Sequence, residues 1–134
     1  MTPMLLEPVV RDEYSVPFFE AAAKDELLLR YSPSRETWSE PSALVCATTQ
    51  ATDLEWRAAS GQGTLISWTI KPGRTRGDTV EAAVVLGIIE LDEGPWLSVK
   101  IADADPQRLQ VGLRSQIKFE QPENSDYQPV AQLL

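Results

Sequence analysis

Residues 60–92 constrain the fold of this chain more than any other stretch, because they hold two candidate β-strands joined by a basic loop. Residues 64–70 are rich in the β-branched, aromatic and apolar residues that strands favour. Residues 82–91 are almost wholly apolar, so we expect that strand to be buried on both faces or nearly so. Pro72 and Gly73 end the first run, and a DEGP turn ends the second. The pattern predicts a hairpin-like pair of strands that the rest of the chain extends or covers.

Three further short strands are predicted after this pair, at residues 96–101, 115–120 and 127–134. Pro129 places the last of them at a sheet edge, because proline cannot donate to a central ladder. Five short strands with glycine and proline between them indicate a small barrel or sandwich. We favour a mainly β chain with a five-stranded OB-fold barrel over residues 60–134, preceded by an N-terminal region over residues 1–59.

The N-terminal region combines an arm, a helix and an irregular segment. Residues 1–13 are read either as an extended arm or as a disordered tail. Ser15 is placed to cap a short helix that has Pro17 in its first turn. Residues 27–31 fit either a helix or a strand, while residues 53–58 alternate like a half-exposed strand. Prolines exclude a long helix from residues 32–52.

Composition limits the function classes. The net charge of −8 disfavours nucleic acid and anionic membranes as partners, because phosphate binding needs a basic surface. The 134 residues contain no histidine, which removes the commonest general base and metal ligand. A single cysteine, Cys46, excludes an internal disulfide. No apolar run is long enough to span a bilayer, and we expect a cytoplasmic protein.

The order of several segments resembles the zinc-ribbon/OB-fold family associated with acyl-CoA metabolism. The segments are PFFEAAAKDELLLRY, a loop with one cysteine, DLEWRAASGQGTLISWTI, IIELDEGP and DPQRLQVG. Members of that family are non-catalytic partners of thiolase-like enzymes, of aldolases of the same fold, or of hot-dog-fold hydratases. The resemblance therefore implies an accessory subunit whose ribbon and helix dock on an acyl-CoA enzyme, and it favours a strand at residues 27–31.

The resemblance also implies a rubredoxin-like zinc ribbon, here in degenerate form. The positions that match the family's two C-x-x-C pairs are Ser32 and Arg35, then Cys46 and Thr49. Only Cys46 is a usual zinc ligand, and structural zinc needs four such ligands. We therefore expect no metal and no zinc cofactor. Packing should replace the metal, and the expected packing residues are Trp38, Pro41, Leu44 and Trp56.

A basic loop supplies the candidate ligand-binding residues, Lys71, Arg74 and Arg76. With the neighbouring glycines they are suited to hold the phosphates of CoA, while the plainer interpretation is a solvated hairpin loop. The alternative function, a free-standing acyl-CoA or lipid-thioester binding module, depends on this loop.

Three aromatic residues are candidates for a partner interface: Phe18, Phe19 and Trp68. Phe18 and Phe19 are consecutive, and we expect that both cannot face one core, so that one of them meets a partner. Core packing is the plainer interpretation of Trp68, with a protein-binding surface next.

No catalytic set emerges from the remaining residues. Cys46 lacks a histidine base, which favours a buried structural thiol over a nucleophile. Glu90, Asp92 and Glu93 form an acidic cluster that we read as a solvated strand end rather than as paired catalytic carboxylates. The chain is predicted not to be an enzyme.

Overall fold

The fold is described from a computed structural model that covers residues 15–46, 49–73, 75–80, 83–122 and 124–134, without the side chains at positions 76, 79 and 80. Within these residues the chain is mainly β, with one α-helix and one short 3-10 helix at Pro106–Arg108. The helix and strands are α1 Val16–Ala22, β1 Leu28–Ser32, β2 Thr37–Ser39, β3 Glu55–Ala58, β4 Gln62–Lys71, β5 Thr75–Arg76, β6 Thr79–Val80, β7 Val84–Leu91, β8 Trp96–Ile101, β9 Arg114–Glu120 and β10 Gln128–Leu133.

A closed five-stranded barrel forms the C-terminal part of the chain, in the order β10-β8-β7-β4-β9. All its contacts are antiparallel except that between β8 and β10. The predicted five-stranded barrel is confirmed. The edge position predicted for Pro129 is wrong, because β10 is paired on both sides and closes the barrel. Pro129 lies just before the residues that pair with β8, so its missing N–H is not needed there.

A three-stranded sheet, β2-β1-β3, precedes the barrel. The ambiguous run at residues 27–31 is a strand, as the resemblance favoured. Helix α1 begins after Ser15 with Pro17 in its first turn, where proline's missing N–H is tolerated. It ends at Ala22, and Asp25, three residues later, adopts a left-handed conformation with φ +62°. The boundary between residues 1–59 and 60–134 stays a prediction, although the two sheets fall on either side of it.

One hydrophobic core runs through the barrel and continues onto α1 and β1. Its buried residues are Phe18, Phe19, Leu27, Leu29, Leu65, Val85, Ile89, Leu91, Val99, Ile101, Leu109, Ile117 and Ala131. The N-terminal elements are therefore packed onto the barrel rather than merely tethered to it.

Strand β7 is buried on its inner face and partly exposed on its outer face. Val85, Ile89 and Leu91 face the core, whereas Leu86 is 36% exposed and Glu90 is also exposed. The expectation that this strand is buried on both faces is wrong for Leu86 and Glu90 in the outer row, although Val84 in the same row is 7% exposed. Gly87 belongs to the inner row, because a Cβ there would come within 2.6 Å of Ile101.

No helix among the described residues has both the length and the apolar character needed to cross a membrane.

Candidate functional site

The positions that match zinc ligands form two separate hydrogen-bonded turns. In the first, the hydroxyl of Ser32 donates to Asp53 Oδ1 at 2.6 Å and accepts the backbone N–H of Arg35 at 3.3 Å. The backbone N–H of Ser34 donates to Asp53 Oδ2 at 3.1 Å. The hydroxyls of Ser32 and Ser34 lower the pKa of Asp53 to about 2. A carboxylate thus joins the β1–β2 turn to the segment that leads into β3.

The second turn surrounds the thiol of Cys46, which is 2% exposed. Hydrogen bonding to Thr49, and then to the hydroxyls of Ser39 and Thr37, lowers the pKa of Cys46 to about 6. The Sγ atom lies 3.7 Å from Thr37 Oγ1. Sequence analysis identified Cys46 and Thr49 as a pair, but the contributions of Ser39 and Thr37 come from β2 and required the fold.

These residues do not fit a zinc ion. Cys46 is the one usual zinc ligand among the four matching positions, and the Ser32 hydroxyl is already engaged by Asp53. Arg35 is exposed and contributes its backbone to the turn. Among the described residues, no three Cys, Asp or Glu side chains lie close enough to hold a metal ion. That the protein lacks zinc in solution remains a prediction.

The residues expected to replace zinc by packing divide into two groups. Trp38 and Trp56 are half-buried against the core, in line with the expectation. Leu44, however, is 66% exposed, and the buried residues in the described part of that loop are Ala43 and Cys46. The prediction for Leu44 is wrong, because the turn at Cys46 directs the smaller side chains inward.

The predicted partner residues lie mostly inside the structure. Phe18 and Phe19 are each 7% exposed and both belong to the core, so the premise that consecutive residues cannot share one core is wrong. Phe18 contacts the rings of Phe19, Trp56 and Phe119 with centroids 5.2 to 6.3 Å apart. The helix is seated between the barrel and β3, which gives both rings a buried environment.

Trp68 lies opposite Gly87, on the inner side of β4, and packs against the core. The tryptophan at the surface is instead Trp96, which is 61% exposed and donates its indole N–H to Glu90 at 3.1 Å. The inward position of Trp68 follows a register shift between Leu65 and Ser67, which the sequence pattern did not reveal.

The basic loop is described only in part. Lys71 is the last residue of β4 and is exposed. Arg74 lies outside the described residues, and Arg76 is described by its backbone alone, as the last residue of β5. The prediction that these three residues bind CoA phosphates therefore remains untested.

A groove of about 450 Å³ lies beside the connection from β8 to β9. Leu109, Leu113 and Leu133 supply apolar lining, and Asp105 and Arg108 supply charges. Because β8 runs antiparallel to β7, and β7 to β4, the end of β8 and the end of β4 at Lys71 lie at the same end of the barrel. Sequence analysis did not identify this groove.

The acidic cluster is divided among three partners. Asp92 makes two hydrogen bonds of 2.8 Å with the guanidinium of Arg114, which lowers the pKa of Asp92 and raises that of Arg114. Glu93 accepts the backbone N–H of Ser60 at 2.8 Å, and Glu90 accepts from Trp96. This arrangement suits a structural strand end better than a pair of carboxylates sharing one substrate.

Comparison with known proteins identifies the barrel. Residues 56–120 match the family described as "ChsH2, C-terminal OB-fold domain". The barrel is therefore an OB-fold, as its strand order indicates.

Relatives with known sequences or structures support the same fold. A Pyrococcus furiosus protein named "DUF35 domain-containing scaffold protein" is 26% identical over 73 residues, which is 54% of each chain. The chain thus matches about half the length of that curated relative. The solved structure described as "Ltp2-ChsH2(DUF35) aldolase" superposes with a TM-score of 0.76 and 20% identity, over 95% of this chain and 98% of that one. A DUF35-family protein of unknown function from Sulfolobus solfataricus superposes with a TM-score of 0.64 and 13% identity, over 91% and 86%.

Proposed function

We propose that this chain is a non-catalytic accessory subunit that binds an enzyme acting on acyl-CoA thioesters. The enzyme would be thiolase-like or, as the second option, a hot-dog-fold hydratase. The protein would act in the cytoplasm, without nucleic acid or membrane as a partner.

The observation that carries the proposal is the similarity in fold to the chain described as "Ltp2-ChsH2(DUF35) aldolase", which spans nearly the whole of both chains. That description pairs a DUF35 protein with an enzyme, and the Pyrococcus furiosus relative is named a scaffold protein. The scaffold name favours a binding role over a catalytic one, whereas the other name is that of an aldolase.

The chemistry of the described residues supports a non-catalytic role. The chain has no histidine, and the lowered pKa of Cys46 comes from hydroxyl groups and the backbone of Thr49 rather than from a base that could accept a proton. Asp92 and Glu93 are held by Arg114 and by the backbone of Ser60.

The β2-β1-β3 sheet is, in this proposal, a degenerate and metal-free zinc ribbon. Ser32 and Cys46 occupy two former ligand positions, and hydrogen bonds to Asp53, Thr37 and Thr49 hold the turns that a metal would otherwise hold.

Affinity purification from the native cells tests the proposal. We expect the tagged chain to retain, in near-stoichiometric amount, one protein that mass spectrometry identifies as a thiolase-like enzyme or a hydratase. Recovery of the chain alone, as a folded monomer, would contradict the accessory role.

The groove of about 450 Å³ favours a second candidate, an acyl-CoA binding module, because it lies at the same end of the barrel as Lys71. Pockets of this size hold small ligands. Calorimetric titration of the isolated chain with CoA would detect binding. Reversing the charge in Arg74→Glu and Arg76→Glu should then abolish it, whereas Arg35→Glu, which makes the same charge change outside the loop, should not.

A further inference from the structure

Five neighbouring positions on the outer surface of β4, β7 and β8 carry no charged side chain. Inter-strand pairing sets Ser67 opposite Ile88 and Ile88 opposite Ser98, while Thr69 lies opposite Leu86. Paired residues in an antiparallel sheet share a face. These five residues form what we call the outer sheet face: Ser67, Thr69, Leu86, Ile88 and Ser98.

The five residues of the outer sheet face are largely exposed, where charged side chains are common. Four of the five residues are exposed and Ile88 is half-buried, yet none is charged in a chain with 24% charged residues. Lys100 extends the row beyond Leu86, but its ammonium lies 3.4 Å from Glu120 and its side chain is only 16% exposed. Depletion of charge at the centre of a surface patch is the compositional mark of a protein interface.

Trp96 borders the face and supplies an anchor. It pairs with Glu90 across β7 and β8, two residues along from the Ile88–Ser98 pair and on the same face. With 61% of its surface exposed and its N–H held by Glu90, the indole is already oriented in the free protein. Tryptophan is enriched among the few residues that dominate binding energy at interfaces.

The charged groups near Trp96 indicate which kind of partner fits the outer sheet face. Glu90 accepts the indole N–H of Trp96 and is exposed, so its charge faces solvent beside the anchor. Asp92 is paired with Arg114, and Glu93 is held by the backbone of Ser60 with its other carboxylate oxygen buried. An exposed carboxylate beside the anchor, in a chain whose net charge is −8, disfavours the phosphates of nucleic acid, which other OB-folds bind on this surface. It also disfavours a second copy of a chain whose net charge is −8.

We infer that the outer sheet face is the docking surface for a protein partner that places lysine or arginine opposite Glu90 and an apolar pocket over Trp96. This inference rests on the proposed function and adds where the enzyme binds. It differs from docking through the degenerate ribbon, which the family resemblance implied.

The test repeats the affinity purification with four variants. Trp96→Ala removes the anchor and Ser98→Lys inserts a charge in the middle of the face. Gln107→Lys adds the same charge at an exposed position outside the barrel strands, and Leu44→Lys adds it to the exposed ribbon loop. Thermal unfolding shows that each variant is folded, and light scattering of the purified wild-type chain gives its oligomeric state.

We expect Trp96→Ala and Ser98→Lys to reduce retention of the identified enzyme about 30-fold or more, the effect of losing an interface anchor. Gln107→Lys and Leu44→Lys should retain it, and the purified chain should be monomeric. Retention by folded Trp96→Ala and Ser98→Lys, or loss with Leu44→Lys alone, would overturn the inference and leave the proposed function standing. A dimer that Ser98→Lys dissociates would assign the face to a second copy instead. If the wild-type chain retains no enzyme, the proposed function and the inference both fail.

Discussion

Replacing Phe18 with alanine should destabilise the whole chain rather than remove a binding contact. The ring is 7% exposed and meets the rings of Phe19, Trp56 and Phe119. It is one of the few side chains that join α1 both to the barrel and to β3, so its removal should loosen the contact between the two parts of the core.

The structure sets the size of the effect. Burial of roughly 150 Å² of ring surface, at about 25 cal/mol per Å², is worth about 4 kcal/mol. Alanine keeps its Cβ, which reduces the lost burial free energy by about 0.8 kcal/mol. Incomplete collapse of the cavity increases the loss again. We expect Phe18→Ala to lower the free energy of unfolding by about 3–4 kcal/mol, within the usual range for such changes. For a domain with a total stability of about 5–15 kcal/mol, that is a large fraction.

Urea unfolding followed by tryptophan fluorescence measures the change. With a slope of about 1.5 kcal/mol per M, the midpoint should fall by roughly 2 M. Phe19→Ala, at the same exposure, should behave similarly, whereas Phe18→Leu should lose only about 1–1.5 kcal/mol. Glu20→Ala, on the exposed side of the helix, should stay within about 0.5 kcal/mol of wild type. A loss below about 1 kcal/mol for Phe18→Ala would show that the helix does not contribute to the core and would return Phe18 to the list of partner residues.

Three further predictions follow from single contacts. Gly63→Ala should lower the free energy of unfolding by about 3 kcal/mol, because its Cβ would lie 2.6 Å from the backbone oxygen of Glu90; a thermal midpoint equal to wild type would refute this close approach. The pKa of Asp53 is about 2 in the folded chain, against an ordinary value of 3.8. As the pH falls, the carboxylate is therefore protonated in the unfolded chain before it is protonated in the folded chain. The contribution of Asp53 to the free energy of unfolding is present above pH 3.8 and is lost as the pH falls toward 2. In Asp53→Asn, the free energy of unfolding should therefore fall less steeply with pH over that interval. If its pH dependence ran parallel to that of the wild type, Asp53 would not be the group responsible. Ultraviolet absorbance of the Cys46 thiolate should titrate near pH 6 rather than 9, and Thr49→Val should raise that midpoint; a midpoint near 9 in the wild type would rule out the hydroxyl contacts.

Much of the fold could be predicted from the sequence, because each barrel strand corresponds to a local run of strand-forming residues. The five barrel strands were predicted at nearly their observed positions, from runs of strand-forming residues separated by glycine and proline. The choice between helix and strand at Leu28–Ser32 was not local, since periodicity in so short a run fits both. Pairing with β2 and β3 decides it.

The candidate sites were less predictable because they depend on which way side chains point. A register shift in β4 turns Trp68 inward and leaves Trp96 as the exposed tryptophan. Phe18 and Phe19 are both buried because α1 sits where it contacts the barrel and β3 together. Core packing was the plainer sequence interpretation of Trp68 and is confirmed, but neither the register shift in β4 nor the shared burial of Phe18 and Phe19 has a signal in the alternation of the sequence.

The sequence by itself determined the classes of chemistry open to this protein. Without histidine, with one cysteine and with a charge of −8, it has few means of catalysis or of binding phosphate-rich partners. Only the tertiary structure decided which residues meet. It brought Asp53 to Ser32 across 21 positions, and it gathered uncharged residues from three strands on one outer face. The physical reason is that residue type is a local property, whereas a surface is assembled by pairing between strands that are distant in the chain.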